Sequence, residues 1–406
     1  MVKARRKGRP ALRRGRRGNP SGGRSRTTLR GREAVTVLAP ATETAALRAW
    51  AEVDLRAIAH NIQEIRAGLA PSARLMAVVK ADAYGHGVVP VCQAALKAGA
   101  SAVGVATLGE GVALRLGGIR APILVLGGLT VGEVADAAAH QLSISITSHE
   151  MAQLILDRPQ RLPTGVHLKV DTGMTRLGMF PREVPALLDR LVTKGVSVAG
   201  CYTQLASADH ADHAMTSEQL ARFHPVLALV RARFPRVVVH VANSAGALAS
   251  PDTHFDMARV GLAMYGLYPS PGMRSLADLR PAMRLYSRVV RTARVGPGTT
   301  VSYGAAYRTQ TSTTIATIAC GYADGYPRLA GETGEVIIRG IRHKVAGRVC
   351  MDHLMADVGD HPVAVGDVVQ LFGDAPSADE VAAYAHTISY EVLCGVGLRV
   401  PRIYVR

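Results

Sequence analysis

No two of the five cysteines (Cys92, Cys201, Cys320, Cys350, Cys394) form a C-x-x-C pair, and their number is odd. A zinc ribbon, a thioredoxin-type centre and a disulfide scaffold are therefore excluded, and no metal site is expected. Scattered free thiols suit a reducing cytosol. No apolar run approaches the roughly 18–20 residues that span a bilayer. The basic N-terminus is not followed by the apolar stretch of a secretory signal. A cytoplasmic protein with no membrane partner is expected.

Acidic residues are absent from the first 32 positions, which carry thirteen Lys and Arg. The formal charge of +17 is concentrated there, because the other positions hold 35 basic against 31 acidic residues. Residues 1–46, rich in Arg, Gly, Pro and Ser, cannot bury enough apolar surface to fold alone and are expected to be a disordered basic tail. A run of Arg can neutralise phosphates. This one has no interleaved aromatic residue, so the stacking platform of single-strand binders is missing. Nucleic acid is not expected as a partner.

The body is nearly neutral and regular. Asp54 is placed to cap a helix whose apolar residues Ile58, Ile62, Ile65 and Leu69 recur at helical spacing. A short apolar run at 75–79 follows, and similar runs recur at 102–106, 122–126, 142–146, 166–170, 196–202, 237–241 and 256–260. Amphipathic segments such as 89–98, 110–116, 148–156, 183–193 and 217–233 separate them. Strands that read as continuous apolar runs are buried on both faces, as in an all-parallel sheet. Eight such units predict an α/β fold with an N-terminal (β/α)8 TIM-type barrel over 47–280. Beyond it, the segments 284–295, 313–320, 334–350, 353–358 and 366–372 are short, Val-rich and broken by Gly, Pro and Asp. They predict a mostly antiparallel β domain over 281–406.

In such a barrel the chemistry gathers at the C-terminal ends of the strands. Lys80 closes the first strand and opens a glycine-rich loop. Partial desolvation there would lower its pKa and make the amine a better nucleophile, whereas a lone lysine at a strand end is otherwise a solvated turn. The seventh strand leads into Asn243-Ser244-Ala245-Gly246, either a phosphate cradle or an ordinary helix cap. The eighth brings Arg259 and further glycines to the same mouth, where a bare phosphate site would use the guanidinium equally well.

Taken together, these residues are more specific. The string Val79-Lys80-Ala81-Asp82-Ala83-Tyr84-Gly85-His86-Gly87 resembles the cofactor-lysine motif of alanine racemases, the fold-type III pyridoxal phosphate enzymes. The resemblance continues through HLKVDTGMTR at 167–176, VSYG at 301–304, GYADGY at 321–326, GRVCMD at 347–352 and VPRIY at 400–404. It implies an amino-acid racemase that interconverts L- and D-alanine with pyridoxal 5'-phosphate and supplies D-alanine for peptidoglycan. Lys80 is implied as the cofactor lysine and as acid and base on one face of the substrate, with Tyr303 on the other. In the family that tyrosine reaches over from a second subunit, so a homodimer with shared sites is implied. A phenol serves as a base near neutrality only where cations or hydrogen bonds favour its ionised form. Arg259 is implied at the pyridine nitrogen, where it donates and keeps its proton. Tyr84, Ser244, Gly261 and Leu262 would hold the phosphate. Arg176, Met351 and Tyr322 would line the substrate site, and Lys169 matches a lysine often found carbamylated. Serine or broad-specificity racemases, barrel-type decarboxylases and pyridoxal phosphate homeostasis proteins are the rival readings. Two positions depart from the pattern. Gln204 stands where histidine is usual, and Leu398 where a phosphate-contacting tyrosine is common.

Overall fold

The computed structural model describes residues 44–157, 162 and 164–405. Positions 1–43 of the basic segment lie outside the described residues, and its end, Thr44–Ala46, is one turn of 3-10 helix.

Eight parallel strands form the first sheet: Arg74–Val78, Ala102–Val105, Ile123–Val125, Ser143–Ile146, Val166–Lys169, Val198–Tyr202, Val238–His240 and Met257–Val260. Each pairs with the next along the chain up to the seventh, and the eighth pairs with the first, placing Arg259 beside Met76. Between the seventh and eighth, amide-to-carbonyl bonds from Asp256 to Val239 and from Arg259 to Ala242 close the ring. Most residues of these strands are fully buried, which is why they read as unbroken apolar runs. The helices lie between them. Leu55–Gly68 starts where the Asp54 carboxylate accepts the amides of Arg56 and Ala57, and it buries Ile58, Ile62 and Ile65. Helix Leu108–Leu116 opens with a Thr107–Glu110 capping box.

The second sheet also has eight strands, in the order 313–318, 354–359, 341–345, 335–338, 368–372, 283–295, 49–54 and 402–405. All pairings are antiparallel except that of Ala49–Asp54 with Arg402–Val405. The long strand Met283–Val295 pairs along its length with three others. Ala49–Asp54 is a correction to the sequence reading, which ran the barrel from residue 47. This strand instead lies between Met283–Val295 and Arg402–Val405, sewn into the β domain before the chain enters the first barrel helix. Its partners are more than 200 residues away, and no local pattern encodes such a pairing. Two helices of the β domain, Ala378–Tyr384 and Ser389–Gly395, also went unread, as did Glu133–Ala139 in the barrel. Each has only seven residues, too few for the 3.6-residue period to repeat clearly.

Candidate active site

The first barrel strand delivers Lys80 into an unusual turn. Ala81, Asp82, Ala83 and Tyr84 all have φ between 53° and 55°, a full left-handed helical turn of residues that carry a Cβ. Such a conformation costs about 1–2 kcal/mol per residue, so the surroundings must hold it. Glu110 accepts the Ala81 amide at 2.7 Å, and Asp82 accepts that of Val88 at 2.8 Å. The His86 Nδ1 lies 3.0 and 2.9 Å from the carbonyls of Ala83 and Tyr84, and Arg402 Nε donates to the Gly85 carbonyl at 2.8 Å. The β domain presses close here: a Cβ on Gly87 would stand 1.8 Å from the Tyr404 hydroxyl oxygen.

The turn aims Tyr84 at the end of the neighbouring eighth strand. Its ring packs on Tyr265 with centroids 4.8 Å apart, and its hydroxyl makes no hydrogen bond among the described residues. Burial pushes that phenol up, with Tyr390 and Cys394 adding to the effect, so it stays a proton donor. The hydroxyl oxygen lies 2.6 Å from where a Cβ on Gly261 would be, so only glycine fits there without displacing the ring. Asn243, not Ser244, caps the helix Ser244–Ala249: its side chain accepts the Gly246 amide at 2.9 Å. Ser244 Oγ is thereby left to face Gly261, whose amide it accepts at 3.0 Å, and Ala263, at 3.4 Å. Tyr84, Ser244 and the 261–262 backbone thus converge at one end of the mouth.

Arg259 lies deeper, 4 % exposed. One terminal nitrogen donates to the His240 carbonyl at 2.6 Å and lies 3.3 Å from its Nδ1. The other donates to the carbonyls of Thr203 and Val241 and, at 3.2 Å, to Gln204 Oε1. The remaining donor, Nε–H, has no partner among the described residues. Burial lowers the guanidinium pKa to about 10, so the group stays charged near neutrality. Behind it, His240 Nε2 lies 2.9 Å from His167 Nδ1. Burial lowers His167 to about 4 and holds His240 well below its usual value, so both imidazoles are neutral at pH 7. If Arg259 donates to His240 Nδ1, then His240 Nε2–H donates to His167, which fixes both tautomers.

Tyr202, which the sequence reading did not single out, stacks on His240 at 4.6 Å and presents its ring to Arg259 at 5.2 Å and to Lys169 Nζ at 5.7 Å. Its place as the last residue of the sixth strand was the signal available. Lys169 is 5 % exposed. Burial, then Arg176 and Arg259, lower its pKa from 10.5 to about 8. Arg176 lies on an exposed loop shaped by Asp171, whose carboxylate accepts the amides of Gly173, Met174 and Thr175.

Tyr303, Tyr322 and Met351 are not joined to Lys80 by any described bond or ring contact; their loops are joined to one another. The amides of Tyr322 and Ala323 donate to the carbonyls of Cys350 and Met351, both at 3.0 Å, and Ser302 Oγ donates to the Arg348 carbonyl at 2.7 Å. These three side chains are respectively 71 %, 40 % and 53 % exposed. They form one outward-facing cluster on the β domain.

Two family profiles match the chain in order, "Alanine racemase, N-terminal domain" over residues 53–269 and "Alanine racemase, C-terminal domain" over 282–404. The chain belongs to the alanine racemase family. It is 45 % identical over 363 residues to the alanine racemase of Desulfovibrio desulfuricans, covering 88 % of this chain and 98 % of that one. With the alanine racemase of Nostoc sp. it shares 42 % identity, over 88 % of this chain and 96 % of the other. The crystal structure of the alanine racemase from D-cycloserine-producing Streptomyces lavendulae superimposes with a TM-score of 0.84 at 37 % identity, over 88 % of this chain and 97 % of that one. That from Streptomyces coelicolor gives 0.85 at 37 % identity, over 90 % and 100 %. Relatives and structural neighbours are isomerases, and so is this enzyme. No helix among the described residues is long and apolar enough to cross a membrane.

Both departures from the racemase pattern have definite places. Gln204 Oε1 accepts from Arg259, while its Nε2 donates to the Leu205 carbonyl at 3.2 Å. The carboxamide is therefore orientated and neutral, and has no proton to relay. Leu398 is 89 % exposed and offers no hydrogen bond to a phosphate.

Proposed function

We propose that the protein interconverts L- and D-alanine with pyridoxal 5'-phosphate, as a homodimer whose sites are shared between subunits. The observation that carries this reading is Arg259, a buried guanidinium with both terminal nitrogens committed and Nε–H free, on the strand that pairs with the one leading into Lys80. When bound, the cofactor supplies a sink for the electron pair left at the α-carbon as its proton departs.

The chain's own residues supply the rest. Lys80 Nζ anchors the cofactor and takes or returns the α-proton on one face; Tyr303 Oη does so on the other. Arg259 Nε–H donates to the ring nitrogen without giving up its proton, which keeps the ring a moderate sink and disfavours side reactions. Tyr84 Oη, the Ser244 hydroxyl and the Leu262 amide hold the phosphate, and Gly261, whose own amide bonds to Ser244 Oγ, leaves it room to approach; the unpartnered Tyr84 hydroxyl is the donor in the right place. Arg176 orients the substrate carboxylate, with Met351 and Tyr322 lining its site. The exposure of Tyr303, Tyr322 and Met351 supports the homodimer, since a facing subunit would cover their cluster.

With a pKa near 8, Lys169 has an appreciable neutral fraction near pH 7.5. The lone pair of that neutral amine can attack the carbon of carbon dioxide with loss of one further proton, so that, with two protons released in all, the lysine cation becomes an anionic carbamate beside Arg176. The product, D-alanine, would serve peptidoglycan synthesis.

The test is incubation with L-alanine and pyridoxal phosphate in D₂O, following α-hydrogen loss by NMR and chirality by chiral chromatography, with Lys80→Ala alongside. Exchange with D-alanine appearing, and neither in the variant, is the expected result. No exchange by cofactor-loaded protein would refute alanine as the substrate.

A further inference from the structure

Tyr303 sits at the tip of a small hairpin, between two strands of two residues each, Thr300–Val301 and Tyr307–Arg308. The tip is strained: φ is +69° at Ser302, +71° at Gly304 and +50° at Ala305. For Ser302 and Ala305, which carry a Cβ, this region is unfavourable and persists only where the surroundings enforce it. The hairpin rests on its own small apolar cluster of Val301, Ile315 and Ala346, with Tyr307 packed against it, apart from the main core. Four ladder residues and a small cluster make a weak frame for a side chain that must present one oxygen accurately. Specific polar bonds have to complete it.

One of those bonds lies at the foot of the tip. Tyr307 Oη donates to Asp357 Oδ2 at 2.5 Å, Thr313 Oγ1 donates to the other carboxylate oxygen, and the Gly359 amide donates to that same oxygen at 3.1 Å. Asp357 stands on the strand Leu354–Gly359, paired on one side with Thr313–Ile318 and on the other with Ile341–Val345. It is thus carried by the rigid sheet, whereas Tyr307 belongs to the hairpin. Burial raises the Tyr307 phenol to about 12, with Asp357 acting in the same direction, so this hydroxyl remains a donor. Burial by itself would raise the Asp357 carboxyl, but the bonds from Thr313, Tyr307 and Gly359 outweigh it and keep the group ionised. A neutral donor on an ionised acceptor is the stronger kind of hydrogen bond.

We propose that Asp357 is a positioning residue for racemisation: by clamping the Tyr307 hydroxyl it fixes the strained turn that presents Tyr303, without touching the substrate. The proposal rests on the reading of Tyr303 as the base on one face. Releasing the clamp lets the turn relax towards ordinary backbone angles and moves Tyr303 Oη. Proton transfer is intolerant of small displacements. Lys80 is held by the barrel and the 80–87 turn, so the other face is untouched.

The experiment compares Tyr307→Phe, Asp357→Asn and Tyr303→Phe with the parent, all loaded with cofactor. Tyr307→Phe keeps the ring on its apolar cluster and removes only the hydroxyl. For each enantiomer supplied separately in D₂O, α-hydrogen exchange is followed by NMR and inversion by chiral chromatography. The clamp variants should racemise about tenfold more slowly or worse. Exchange of the enantiomer whose α-hydrogen faces Lys80 should stay at the parent rate, the same one-sided pattern as Tyr303→Phe. Equal losses on both faces would overturn the proposal by marking the bond as merely structural. A defect in Tyr303→Phe with none in the clamp variants would overturn the clamp and leave the two-base reading standing. Parent-like racemisation by Tyr303→Phe would overturn that reading, and the proposal with it.

Discussion

Gly261→Ala tests the proposed phosphate cradle through a single methyl group. The added Cβ would stand 2.6 Å from the Tyr84 hydroxyl oxygen and 3.3 Å from its Cζ, well inside van der Waals contact. A flexible side chain would swing aside, but Tyr84 is 6 % exposed. Its ring is held by Tyr265 at 4.8 Å and Tyr390 at 6.1 Å, and its backbone by the left-handed turn. Overpacking of this kind costs about 1–3 kcal/mol. If the strain falls on the cofactor-bound state, affinity for pyridoxal phosphate should drop by about 5- to 150-fold. If it falls on the fold, the melting temperature of the cofactor-free protein drops instead. The assay is a spectroscopic titration of cofactor-free protein, with thermal melts of the same samples. Unchanged affinity together with an unchanged melt would refute the placement of Tyr84 against Gly261.

Three further expectations concern ionisation. With Lys169 at about 8 in the folded protein against an ordinary 10.5, the unfolded chain holds more protons between those values, so stability rises with pH across that window. Lys169→Met should abolish this component in denaturant melts taken between pH 8 and 10.5. His167 is about 4 when folded against 6.5, so it also binds fewer protons folded, and its contribution is lost as pH falls from 6.5 towards 4. His167→Asn should melt with a shallower acid slope than the parent, and an unaltered slope would count against the buried neutral histidine. Gln204→His replaces a carboxamide bonded to Arg259 by a titratable ring, and should shift a limb of the pH–rate profile relative to the parent. Superimposable profiles would show that Gln204 has no part in that titration.

Much of this protein is legible in the sequence because its information is local. The eight barrel strands read as apolar runs since each is buried on both faces, and the Lys80 loop reads as a motif since its glycines and Tyr84 are contiguous. Ala49–Asp54 was not legible as a β-domain strand, because its partners at 283–287 and 402–405 are chosen by the folded sheet. The same limit applied to the site. The sequence offered Ser244 either as a helix cap or as a phosphate ligand. Only the folded chain showed that Asn243 takes the cap and frees the serine. Arg259 was visible as a cation near the mouth, but which of its donors stays free depends on three carbonyls from two strand ends. The sequence by itself determined the residue types, the alternation of strands and helices, and hence the barrel. Tertiary structure decided which hydrogen-bonding groups are already committed, and a site consists of those left over.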